Sequence, residues 1–154
     1  MPSRAHSNDV ILAYRSSDLS DTTAPLLSTL LVTPNTINTL YGPVTVTVTM
    51  YVSDAGSGVQ SCDIDFSIAV TNTGAIGSRV TPASNLISGT AQAGVLETKL
   101  IFPQFSPNGT WNLLTLSCTD NANNYMSFVS QFTNTTSIKQ ACPIQSITYV
   151  HQTI

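Results

Sequence analysis

Residues 43–53 read Pro43-Val44-Thr45-Val46-Thr47-Val48-Thr49-Met50-Tyr51-Val52-Ser53. Val44, Val46, Val48, Met50 and Val52 share one parity; Thr45, Thr47, Thr49 and Tyr51 share the other. A strand turns successive side chains to opposite faces, so this alternation predicts a strand with one buried face and one wet face. β-Branched residues at most positions favour the same conformation. A single buried face is what antiparallel sheets allow.

The period recurs along the chain. From Val59 to Val70, Cys62, Ile64, Phe66, Ile68 and Val70 fall on one face, with Asp63 and Asp65 on the other. Between this run and the first lies Asp54-Ala55-Gly56-Ser57-Gly58, whose glycines permit the positive φ of a tight connection. Leu96, Leu100 and Phe102 alternate with Glu97 and Lys99. After Trp111, the residues Leu114, Leu116 and Cys118 share a face, and Met126 and Phe128 continue the pattern beyond an Asn-rich turn. Leu26 to Val32 gives an earlier strand that ends at Pro34-Asn35. Residues 71–93 are rich in Gly, Ser, Thr and Pro, and an edge strand is expected there at Ile76–Val80 or at Asn85–Ser88. No segment has a helical period. Short strands separated by turn signals predict an all-β sandwich or barrel.

Composition narrows the function classes. The 154 residues are 42% hydrophobic, which is enough for a core, but only 8% charged. Ordinary domains are about 25% charged. Thr, Ser and Asn supply the solubility instead. With five Lys plus Arg and a net charge of -3, no basic stripe for nucleic acid or for an anionic membrane surface can be drawn. No apolar run is long enough to span a bilayer, so membrane insertion is not expected. Residues 1–9 lack a basic segment followed by an apolar one and are not expected to be a signal peptide. The three cysteines, Cys62, Cys118 and Cys142, show no zinc-ligand spacing. Asn108-Gly109-Thr110 and Asn134-Thr135-Thr136 are acceptor triplets for N-glycosylation and, with the cysteines, point toward the secretory route.

Four features in order carry a family resemblance. They are Asp21-Thr22-Thr23-Ala24-Pro25 at the entry, Ser57-Gly58-Val59 at a strand start, Asn108-Gly109-Thr110-Trp111 at another, and the turn Asp120-Asn121-Ala122-Asn123-Asn124. In this order and spacing the chain resembles the immunoglobulin-like repeats of large bacterial and protist cell-surface proteins, over about residues 21–133. Asn123 stands where those repeats usually have Gly, and Asn also tolerates the left-handed conformation. The resemblance implies an immunoglobulin-like antiparallel β-sandwich over 21–133. It implies tandem extracellular modules in adhesins, stalks or accessory regions of secreted enzymes, with no shared catalytic site. In such a fold the strands bearing Cys62 and Cys118 would be antiparallel neighbours, which implies a cross-strand disulfide between them; the alternative is two buried free thiols. Cys142 would then pair with another chain or stay a free thiol.

Segments at both ends extend beyond that unit. Residues 1–20 form an N-terminal extension in which 8–19 read as a plain strand, as the last strand of a preceding repeat, or as an exchanged strand. Residues 134–154 form a C-terminal extension with a β-prone stretch at Ile144–Val150.

Remaining motifs have competing readings. Trp111 has the parity opposite to Leu114 and Cys118, so it is either an exposed aromatic for glycan stacking or a plug at the end of the sandwich, brought inward by a bulge near Asn112. The plug is the better reading. Asp54, Asp120 and Asn121 lie in turns expected near one end, and oxygen-rich turns can hold calcium. Without EF-hand spacing the ordinary reading is Asx-turn hydrogen bonding, so no metal or cofactor is expected, and these three are the calcium candidates. His6 and His151 lie near the termini, and no Gly-x-Ser-x-Gly elbow occurs. The expectation is therefore not an enzyme but a structural or adhesive module of a cell-surface protein or filament, partnered by neighbouring modules, copies of itself, or surface glycans and proteins. The alternative is a carbohydrate-binding accessory module using Tyr41, Tyr51 and Trp111.

Overall fold

The computed structural model describes residues 21–68, 75–128 and 137–140. In it, the opening stretch becomes the strand β3 (Val44–Ser53), which lies between β1 (Leu26–Thr33) and β7 (Ala93–Phe102), with the short β6 (Leu86–Gly89) beyond β7. A second sheet runs in the order β2 (Thr36–Ile37), β10 (Ser137–Gln140), β8 (Gly109–Asp120), β4 (Val59–Ile68), β5 (Ile76–Val80), and β9 (Tyr125–Ser127) pairs with β8. A single helical turn, α1 (Pro82–Asn85), connects β5 to β6 between the two sheets. All pairs are antiparallel except β2 with β10, which are parallel. This is the strand order of an immunoglobulin-type sandwich.

The predicted inward faces meet in one core. Val46, Val48, Met50 and Val52 of β3, with Leu96, Leu100 and Phe102 of β7, pack against Cys62, Ile64 and Phe66 of β4 and against Leu116 and Cys118 of β8. Full burial of each such side chain stabilises by about 1.5–3 kcal/mol. The outward residues of β3, Thr45, Thr47, Thr49 and Tyr51, are exposed or half-buried. Both edge-strand candidates in 71–93 are realised, as β5 and β6, one at the rim of each sheet. Short edge strands leave few unpaired backbone groups as a template for aggregation.

β8 departs from simple alternation. Asp65 pairs with Thr115 but Phe66 pairs with Leu113, so Leu114 is an extra residue in β8. A bulge of this kind reverses the parity on its far side. Leu114 is therefore 49% exposed, not inward as its spacing from Leu116 and Cys118 predicts, and Leu113 and Trp111 turn inward in its place. Trp111 is 2% exposed, its ring meets Phe102 edge-on at 5.1 Å between centroids, and its Nε1 donates to the Pro107 carbonyl at 3.3 Å. It plugs the sandwich as expected, and the bulge lies two residues beyond Asn112. Met126 is also outward, at 42% exposure, because β9 is a short strand on the periphery of β8; Phe128 is buried.

Cys62 and Cys118 face each other across β4 and β8 and are joined by a disulfide. The covalent bond indicates an oxidising compartment. The sandwich also reaches beyond residue 133: Ile138 of β10 is fully buried, and β10 lies between β2 and β8. The expected strands at 8–19 and 144–150, together with Val70, Asn134, Cys142, His6 and His151, lie outside the described residues. Among the described residues, no helix is long and apolar enough to cross a membrane.

Two substitutions separate the bulge from regular alternation. Leu116→Ala should cost about 2–5 kcal/mol in urea unfolding, whereas Leu114→Thr should change stability by no more than about 0.5 kcal/mol; equal losses would place Leu114 in the core. Replacing both Cys62 and Cys118 by Ala should remove up to about 4 kcal/mol, given the 56-residue separation that the bond closes.

Candidate functional site

β3 and β8 share an unusual ending. The inward series Val46, Val48, Met50, Val52 continues to Asp54, and the inward series Leu116, Cys118 continues to Asp120. Each core stripe therefore terminates in a carboxylate. Asp54 is 4% exposed and Asp120 fully buried. Asp21, which enters the sandwich just before β1, reaches the same place. One carboxylate oxygen of each of Asp21, Asp54 and Asp120 lies within 4.8 Å of those of the other two.

Backbone geometry fixes each carboxylate. Oδ1 of Asp54 accepts from the amides of Gly56 at 3.0 Å and Gly58 at 3.1 Å, an Asx turn that Gly58 closes with a φ of 81°. Oδ1 of Asp120 accepts from the amides of Ala122 and Asn124, both at 2.8 Å, while its Oδ2 accepts from the Asn124 side chain at 2.8 Å. Asn123 provides the left-handed residue of this turn, with a φ of 69°, which Asn tolerates better than most residues. Asp21 accepts from Thr23 at 3.0 Å through Oδ1 and from Ser57 at 2.7 Å through Oδ2. Gly56 makes room for this approach: a Cβ there would overlap the Asp21 carboxylate.

Further bonds stitch the three segments into one pole. The Asn124 side chain donates to the Asp21 carbonyl at 3.0 Å, and Ala122 N donates to Ser57 Oγ at 3.1 Å. Asn121 donates from its side-chain nitrogen to the Ser57 carbonyl at 3.0 Å and the Gly58 carbonyl at 2.9 Å. Of the three calcium candidates read from sequence, Asp54 and Asp120 come together, while the Asn121 amide is committed to holding a turn. Asp21 takes its place. Sequence reasoning placed Asp21 in the entry motif without linking it to the others, because its partners lie 33 and 99 residues away. The inward parity of Asp54 and Asp120 was the available signal.

The electrostatics are unbalanced. Among the described residues the one ion pair is between Arg79 and Asp63, at 3.8 Å on the surface, and none reaches the three aspartates. Burial pushes the Asp54 carboxyl above its ordinary range, and the charges of Asp21 and Asp120 add to that against the Gly58 and Gly56 amides. The Asp21 carboxyl is held below its ordinary range, first by the Ser57 amide and then by that of Thr23. Asp54 Oδ2 is buried and has no hydrogen-bond partner among the described residues.

The other sites lie elsewhere. Asn108 is exposed at the opposite pole, in the β7–β8 connection. Tyr41 and Phe105 are exposed at that pole, and Tyr51 lies on the outer face of β3, so Tyr51 and buried Trp111 share no surface with Tyr41.

A family model described as a domain of unknown function (DUF7743) matches residues 19–154. The chain belongs to that family. The matched span begins two residues before Asp21 and takes in every element of the sandwich, so the acidic pole and β10 both lie within the family domain. No curated protein matches the chain.

The raised Asp54 value has a determinable sign. A folded-state value above the unfolded one of 3.8 means that the folded chain holds the proton more tightly. The contribution is favourable below that pH and is lost as pH rises through the raised value. With chelator present, Asp54→Asn should match the parent in melting temperature at acidic pH and exceed it at neutral pH. A variant less stable than the parent at neutral pH would contradict the repulsion.

Proposed function

We propose that the chain is a non-catalytic extracellular structural or adhesive module, of the kind strung in series in cell-surface proteins. The observation that carries this reading is the placement of the first and last described segments. Asp21 lies at the acidic pole, and the last described strand, β10, pairs Gln140 with Gly109 at the far end of β8. β8 has 12 residues, so the two points are separated by roughly 35–40 Å along the long axis of the sandwich. An elongated sandwich whose first and last described segments lie at opposite poles suits modules joined end to end.

Two further features support the reading. The Cys62–Cys118 bond closes the two central strands of the second sheet, which suits a protein working in an oxidising exterior. The outer face of β3 is hydroxyl-rich, which keeps a sandwich soluble with few charges. Burial of Trp111 leaves the carbohydrate-binding alternative without its tryptophan.

Antibody raised against the folded domain should label intact, unpermeabilised cells or recover the protein from the medium, with Cys62 and Cys118 unreactive to thiol alkylation. Recovery solely from the cell interior, with both thiols alkylated, would exclude the extracellular role.

A further inference from the structure

We propose that Asp21, Asp54 and Asp120 bind a single calcium ion that clamps the entry segment to the β3–β4 and β8–β9 turns. This inference stands independently of the proposed extracellular role, since it rests on the geometry of the pole alone.

Three observations converge. Carboxylate oxygens from three separate segments gather within 4.8 Å, a spacing that one ion at 2.3–2.6 Å from each oxygen bridges. Two of the three aspartates are buried, and no ion pair among the described residues neutralises them. The carboxylate of Asp54, a member of this cluster, has a buried Oδ2 with no hydrogen-bond partner among the described residues, although its sister oxygen accepts two amide hydrogens. Buried polar atoms are nearly always satisfied, and a bare carboxylate oxygen beside two other carboxylates is costly unless a cation completes it.

The chemistry of the donors selects the ion. Every charged donor is a carboxylate oxygen, which suits hard cations and not zinc or copper, whose sites draw on imidazole and thiolate. The three carboxylates lie on turns, whose ligand spacing can settle around the larger and more adaptable calcium shell more readily than around octahedral magnesium. Their orientation is already set by amides from Gly56, Gly58, Ala122, Asn124, Thr23 and Ser57, so little ordering accompanies binding. Since Asp21 lies on the segment leading into β1, the ion would fix the direction in which the chain enters the sandwich.

A shared proton is the competing way to relieve the same repulsion, and calcium dependence separates the two. The full chain, stripped with chelator and then given calcium chloride at neutral pH, should melt roughly 5 °C higher at saturating ion. Sodium chloride of equal ionic strength should not reproduce the shift, and titration calorimetry should report a single site. Asp54→Asn and Asp120→Asn should abolish the shift, whereas Asp63→Asn, on a half-buried aspartate outside the cluster, should retain it. Should either buried variant fail to fold, Asp21→Asn alters the site from outside the strands and should weaken calcium binding at least tenfold. No shift and no heat with calcium in the folded parent would overturn the proposal. So would a shift that survives Asp21→Asn unchanged, one that sodium reproduces, or one produced by magnesium in place of calcium.

Discussion

The pairing of β4 with β8 is the constraint on which the rest of the molecule depends. Cys62 opposite Cys118 sets the register, and the register decides which residues of both strands face the core. One residue of slip would turn every buried side chain of a strand outward. The same register places Asp120 opposite Val59, at the foot of the turn that carries Asp54. The covalent bond thus holds the hydrophobic centre and the acidic pole in one alignment, two residues apart along β8.

The bulge at Leu114 reconciles the two halves of that strand. Toward the acidic pole, Leu116, Cys118 and Asp120 point inward; toward the other end, Trp111 and Leu113 do. Without an extra residue these two sets would lie on opposite faces. Inserting Leu114 lets a tryptophan close one end of the core while the disulfide and a carboxylate occupy the other. The cost is one exposed leucine, a common surface feature that needs no partner.

The two poles differ in chemistry because different residues end the strands. At one, the core stripes run into aspartates tied down by short Asx turns and by the entry segment. At the other, the β1–β3 and β7–β8 connections carry Tyr41, Phe105 and the acceptor triplet at Asn108. A sandwich with distinct ends has a direction.

Period-2 alternation determined most of the sheets by itself. The runs at 44–53, 59–68 and 93–102 are strands with the faces their spacing predicts, since alternation depends only on the local geometry of extended backbone. The turns were legible for a similar reason, as Gly58, which lacks a Cβ, and Asn123 adopt the left-handed conformations that these residue types tolerate. Tertiary structure alone decided the rest. The bulge shows only in the pairing with β4, because an extra residue is defined by the partner strand that lacks it. The short β2 and β10 are held by their neighbours and carry little pattern of their own. The meeting of Asp21 with Asp54 and Asp120 is likewise a consequence of two strand ends and the segment before β1 arriving at one pole, and no local sequence rule brings together residues that far apart.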